Sequence, residues 1–197
     1  MNSVMLHRAL TDSADPALRP LPDAAADLLV ELAAPPRLAA HLRAVHDVAW
    51  QLVAWVESRY PAVSFDRVAV LFGAATHDVG KVVHVAELSG PGSAHEQTGY
   101  QLLLDHGVDP GLARFAWTHA SWQSTDIEIE DLLVSVADKV WKAKRVADLE
   151  QRLVDRLAAV AGQQSWEAFM TLDDELGRIA ADADRRLAFQ ASYPVFD

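Results

Sequence analysis

Residues 36–59 read PRLAAHLRAVHDVAWQLVAWVESR, and this stretch decides the fold class. His41, Val45, Val48, Ala49, Leu52 and Val56 follow one another in steps of 4, 3, 1, 3 and 4, the spacing of one helix face. Pro35-Pro36 suits the first turn of a helix, and Tyr60-Pro61 ends it. The spacing therefore predicts a long helix from Pro36 to about Arg59. Outward from it the same period recurs. Helices are expected over Asp23–Leu32, from Ser64 or Asp66 to about Val79 with Gly80 as its stop, and from a Ser93/Glu96 capping box to Gly107. Asp109-Pro110 caps a short helix toward His119, and Thr125 or Asp126 starts one through Asp138 toward Arg145. Asp148–Ala161 and Ser165–Ala191 complete the pattern. Only Val82–Val85 carries a β-branched cluster, so the expected class is all-α.

Composition agrees. The chain has 34 alanines in 197 residues, and alanine favours helix. Half of the residues are hydrophobic (51%), which excludes a disordered or low-complexity chain. Residues 1–22, marked by Pro16, Pro20 and Pro22, are read as an arm with at most a short helix. Residues 23–197 are read as one domain. The net charge of -11 repels a phosphate backbone or an anionic membrane, so no nucleic-acid polymer and no membrane is expected as partner. No apolar run approaches the ~18 residues of a membrane span, and Met1–Leu10 has no secretory pattern, so a cytoplasmic location is the default expectation. Cysteine is absent, which leaves histidine and carboxylate as metal ligands.

Eight histidines are present. His41 points toward the core, whereas His46 lies about 140° round the helix and faces elsewhere. His77-Asp78 follows the apolar run VAVLFGAAT; as neighbours at a helix end they project about 100° apart and can reach one ion. His95 shares a face with Gly99, Leu102 and Leu103, and His119 with Leu112, Phe115 and Ala116. A lone core histidine is most simply a hydrogen-bonded structural residue. Four together each need a buried partner, and a metal supplies one for all. Asp138 lies past the edge of the apolar face Ile129, Leu132, Leu133, Val136, Ala137 and Val140, so periodicity alone makes it solvated.

His41…His77-Asp78…Asp138, in the contexts HLRAVHDVAWQL, GAATHDVGK and VADKVWKAKR, resembles the HD superfamily of metal-dependent phosphohydrolases. The resemblance spans about residues 37–145. His95 and His119 look like the two further ligands of its bimetallic branch, and the Lys81 and Asp138-Lys139 segments are most similar to the dinucleoside polyphosphate type. The Gly-Tyr-Pro pattern of the HD-GYP phosphodiesterases is missing, and Val79-Gly80-Lys81 replaces the acidic motif of alarmone hydrolases, so those two substrates are disfavoured. The resemblance implies His41, His77, Asp78 and Asp138 on one ion, Asp78, His95 and His119 on another, and a catalytic Asp78 bridging them. One or two divalent transition ions are implied, Fe or Mn first, then Co, Ni or Zn.

Phosphate needs cations, and the chain has four lysines: Lys81, Lys139, Lys142 and Lys144. Lys81 is the leading candidate for phosphate contact. Lys139, Arg43 and Arg145 are further substrate-binding candidates and Arg114 a weaker one, whereas Lys142 and Lys144 read as an exposed helix face. Trp117, Trp122 or Trp141 could stack a base, and Glu96 could orient His95 or serve only as a capping acid. The expected substrate is a small phosphorylated molecule, foremost a nucleotide, and the sequence leaves monomer and homodimer open. Two competing functions are a di-iron oxygenase on the same fold, cleaving a C–C or C–P bond with O₂, and a non-catalytic metal-holding regulatory module.

Overall fold

A computed structural model describes residues 2–195; residue 1 and residues 196–197, the outer ends of the arm and domain read above, lie outside the described residues. Among the described residues every regular element is helical. The order is α1 (Asn2–Thr11), α2 (Asp23–Glu31), α3 (Pro36–Arg59), α4 (Arg67–Thr76), 3₁₀ turns at Val79–Val82 and Val85–Leu88, α5 (Ala94–Asp105), α6 (Pro110–Ala113), α7 (Phe115–Thr118), α8 (Ile129–Val140), α9 (Ala147–Ala161), α10 (Ser165–Ala180) and α11 (Ala183–Ala191).

The long helix α3 is the axis. It packs against α1, α4, α8, α10 and α11, so it is covered on nearly every side, as its apolar composition requires. Two apolar clusters meet along it. Leu38, Ala39 and Leu42 belong to one cluster, with α1, α2 and α5. Val45, Val48 and Leu52 belong to the other, with α8, α9 and α10. His41 sits at the junction, next to Leu42 of the first cluster and one turn before Val45 of the second.

Residues 1–22 do more than an arm would. They carry the ten-residue helix α1, and Leu6, Ala9, Leu10, Leu18 and Leu21 are buried. Buried Arg43 ties this segment to α3: its guanidinium donates to the carbonyls of Ala9 (3.2 Å), Asp12 (2.8 Å), Leu18 (2.9 Å) and Arg19 (3.2 Å). Carbonyls that the irregular stretch 12–22 leaves without helical partners are thereby satisfied. The substrate role expected for Arg43 is corrected accordingly, since its donors are already used.

Other boundaries shift. α8 begins at Ile129, not near Thr125, because Glu128 and Asp131 form a reciprocal capping box. The stretch Ser165–Ala191 breaks at Ala181-Asp182, so that α11 turns back onto α3. Val82–Val85 forms no strand. α4 ends at Thr76, and Gly80 lies inside the first 3₁₀ turn instead of stopping the helix. A Cβ there would overlap the His95 carbonyl oxygen and crowd the Gly99 nitrogen at 2.6 Å. The glycine lets the segment after His77-Asp78 press directly on the first turns of α5. Gly80→Ala is expected to cost about 2–3 kcal/mol in chemical denaturation, because backbone must move to admit the methyl group.

Candidate metal centre

Six side chains from five segments converge at the cluster junction. His41 comes from α3, His77-Asp78 from the end of α4, His95 from the first turn of α5, His119 from the end of α7, and Asp138 from the last turn of α8. None is more than 8% exposed. Asp138 is therefore buried, contrary to the periodicity reading. α8 is covered by α3, α4 and α9 and has more than one buried face.

Asp78 stands at the middle. Its Oδ2 lies 3.1 Å from His41 Nε2 and 3.5 Å from His77 Nε2. Its Oδ1 lies 3.0 Å from His95 Nε2 and 3.6 Å from His119 Nε2. Asp138 Oδ1 completes the first side, 3.4 Å from His77 Nε2 and 3.9 Å from His41 Nε2. Two donor trios, His41/His77/Asp138 and His77/Asp78/His119, each fit within 4.8 Å. His77 thus lies within reach of both sides, and His95 joins through Asp78.

The imidazoles are oriented for donation. The Nδ1 of His77 faces the Ala74 carbonyl at 3.0 Å, and that of His119 faces the Phe115 carbonyl at 3.1 Å. A proton on each Nδ1 makes these bonds and leaves Nε2 with its lone pair toward the centre. His41 Nδ1 and Nε2, His77 Nε2 and His95 Nε2 are buried without a hydrogen-bond partner. The three Nε2 atoms, so placed around two carboxylates, fit a divalent cation, which would satisfy them together, whereas His41 Nδ1 lies on the far side of its ring.

The electrostatics point the same way. Burial pushes His41 down, and it pushes His119 down to about 4, so both rings are neutral donors at pH 7. Burial opposes the charge on Asp78, yet His77, His41, His95 and Lys81 overcome it and hold the carboxyl well below its usual range. Asp138 behaves alike: His77 and Lys139 outweigh its burial and lower it. Burial pulls His95 down, but Asp78 and Glu87 more than reverse this and raise it.

Glu87 is the residue that sequence reasoning missed. Its Oε2 lies 2.5 Å from His95 Nδ1, and its carboxylate accepts from the amides of Ala94 and His95, both at 3.2 Å. It caps α5 and orients the ring at once. Ser93 makes no side-chain cap, so the Ser93/Glu96 capping box does not form. A Cβ on Gly92 would overlap the Glu87 carboxylate, which makes the Gly-Pro-Gly loop the only weak sequence signal. Glu87→Gln is expected to weaken metal affinity about 10- to 100-fold, read by competition with a chelating indicator. Unchanged affinity would leave Glu87 a helix cap alone.

Lys81 Nζ donates to Asp78 Oδ2 at 2.6 Å, and Lys139 Nζ to Asp138 Oδ2 at 2.5 Å. Trp141 is buried with its ring edge-on to His41, centroids 4.8 Å apart, while Trp117 is exposed and Trp122 packs on the core. Arg145 is taken up by Glu150 (2.9 and 2.7 Å) and Asp173 (2.7 Å), which corrects the substrate contact expected of it. Arg114 is likewise held by Asp131 and Glu128.

The HD domain family model matches residues 37–143, more than half of the chain. The chain belongs to the HD domain family. No curated protein and no solved structure matches it. The match contains all six converging residues, and membership implies activity of the metal-dependent phosphohydrolase type. Among the described residues no helix of this HD protein is long and apolar enough to cross a membrane.

Proposed function

We propose that the protein is a metal-dependent phosphohydrolase acting on a nucleotide or another small phosphoester or phosphoanhydride. The observation that carries this reading is Asp78, whose two carboxylate oxygens face two separate groups of imidazoles. His41, His77, Asp78 and Asp138 would hold one ion, and Asp78, His95 and His119 a second, with Fe or Mn first among the candidates. Ions bound there would polarise a water into a nucleophile and clamp the attacked and leaving oxygens.

The protein's own groups supply the rest. Lys81 and Lys139 place two ammonium groups against the carboxylates, where they can also meet a negatively charged phosphoryl group. Trp141 shields one side of His41 from water. Beside them opens a cavity of about 590 Å³, lined in part by His41, Lys81 and Trp141, which suits a nucleotide-sized ligand. A net charge of -11 favours small substrates over nucleic-acid polymers, and a cytoplasmic setting fits such a metabolite.

The test loads the protein anaerobically with Mn²⁺ or Fe²⁺ and screens nucleotides, dinucleoside polyphosphates and generic phosphoesters. Turnover that EDTA abolishes supports the reading. Oxygen consumption by the iron form without any phosphoester turnover would replace it with the oxidative one. Lys81→Ala is expected to keep its metal but raise KM for anionic substrates about tenfold, the loss of one charge-assisted contact. Unchanged kinetics would remove Lys81 from the phosphate site.

A further inference from the structure

The chain has four lysines against a net charge of -11, and all four gather at one place. Lys81 and Lys139 are paired with the aspartates of the metal centre. Lys142 and Lys144 line the same 590 Å³ cavity as His41, Lys81 and Trp141. Both are exposed, and among the described residues neither pairs with a carboxylate, although neighbouring Arg145 takes two.

The backbone arranges this. Residues two apart on a helix point about 200° away from each other. Ala143 breaks that geometry: its φ is +57°, its amide donates to Val140 (2.9 Å), and the Lys144 amide donates to Lys139 (3.1 Å). A left-handed alanine costs about 1 kcal/mol where glycine would cost nothing. The turn brings Lys142 and Lys144 to one cavity instead of opposite faces. Glu87, also on the cavity wall, is engaged by His95 and the start of α5.

We infer that Lys142 and Lys144 form a second anion subsite, which holds a further negatively charged group of the substrate beyond the phosphate at the metal centre. The identity of that first group rests on the phosphohydrolase reading above. Trp141 links the two ends: its ring meets His41 at 4.8 Å, and Lys142 Nζ lies 5.8 Å from the centroid of the same ring. A substrate that spans the cavity therefore carries at least two anionic groups. A simple monophosphate would occupy only the inner end.

Calorimetry on the Mn²⁺-loaded protein tests this with two probes: orthophosphate, and a methylene-bridged triphosphonate that cannot be hydrolysed. In the Lys142→Gln/Lys144→Gln double variant, triphosphonate affinity is expected to fall about 30-fold, the scale of two partly exposed charge-assisted contacts. Orthophosphate affinity and metal content should hold. Lys142→Arg/Lys144→Arg should restore most of the loss, and Arg59→Gln, an exposed cation elsewhere, should change neither affinity. An unchanged triphosphonate affinity, an equal loss for both probes, or an equal loss in Arg59→Gln overturns the subsite. If the protein turns over no phosphoester, yet the double variant loses triphosphonate selectively, the phosphohydrolase reading fails and the subsite stands. Normal turnover with an unchanged affinity ratio overturns the subsite alone.

Discussion

Asp78→Ala is expected to lose its metal and its activity together, with kcat/KM down at least about a thousandfold, or about 4 kcal/mol of transition-state stabilisation. Asp78 is the one group whose oxygens approach both sides of the centre, at 3.1 Å from His41 and 3.0 Å from His95. Its removal takes a negative charge from each set of donors and leaves Lys81 without its partner. Asp78→Asn separates charge from shape: it keeps the volume and should fail nearly as badly. His41→Ala should follow the same course. His46→Ala and His106→Ala should lose neither metal nor activity. His46 is buried, but it is no member of either donor trio, and His106 bonds the Leu102 carbonyl of its own helix and lies 3.8 Å from Glu31 of α2. Metal analysis and steady-state kinetics on the four alanine variants decide the matter. Full metal content and activity in Asp78→Ala would sink the assignment. Loss of metal in His46→Ala with His41→Ala normal would mean that the first histidine is misassigned.

Much of this architecture is legible in the sequence because local signals coincide with tertiary ones. α3 announces itself by its apolar row and by proline at both ends, and it forms as read, from Pro36 to Arg59. His41 lies in that row, so its burial follows from spacing alone. Asp138 does not follow. Periodicity assumes one covered face, and α8 has neighbours on several, which only the likeness to the HD superfamily anticipates. Arg43 misleads through nearness in sequence: two residues along a helix turn the side chain about 200° from His41, toward α1. Arg145 misleads because the non-helical backbone before α9 turns it onto Glu150, and a second partner, Asp173, arrives from α10, far along the chain. Glu87 and the approach of Lys142 and Lys144 to one cavity escape for the same physical reason. Their placement depends on loops and an unusual alanine turn, where no periodic signal exists.

Metal should also stabilise the fold, since the six converging side chains that would hold it come from five separate segments. An ion that binds only the folded state adds about 2.7 kcal/mol at one hundred times its Kd. For a chain of this size that is roughly 5–10 °C in Tm, at about 2–4 °C per kcal/mol. Acid should cancel the gain. In the metal-free protein His41 and His119 have lowered pKa values, so above the ordinary value of 6.5 neither the folded nor the unfolded form binds their protons. Below 6.5 the unfolded chain takes up protons that the folded one refuses, and stability falls with pH. For His119, with a folded value of about 4, the loss reaches about 3 kcal/mol near pH 4 at about 1.36 kcal/mol per decade. His46, buried away from the centre and also near 4, adds a loss of the same sign with or without metal. His95, raised, works in the opposite direction, and the lowered aspartates contribute until pH falls below their ordinary value of 3.8. In the loaded protein, protons compete with metal for the same nitrogens, so release of the ion adds to the loss. Thermal melts in Mn²⁺ and in EDTA should therefore separate by roughly 5–10 °C at pH 7.5 and converge as pH drops from 6.5 toward 5. Coincident curves at pH 7.5, on protein shown to have lost its metal, would mean that the six side chains do not act as one site.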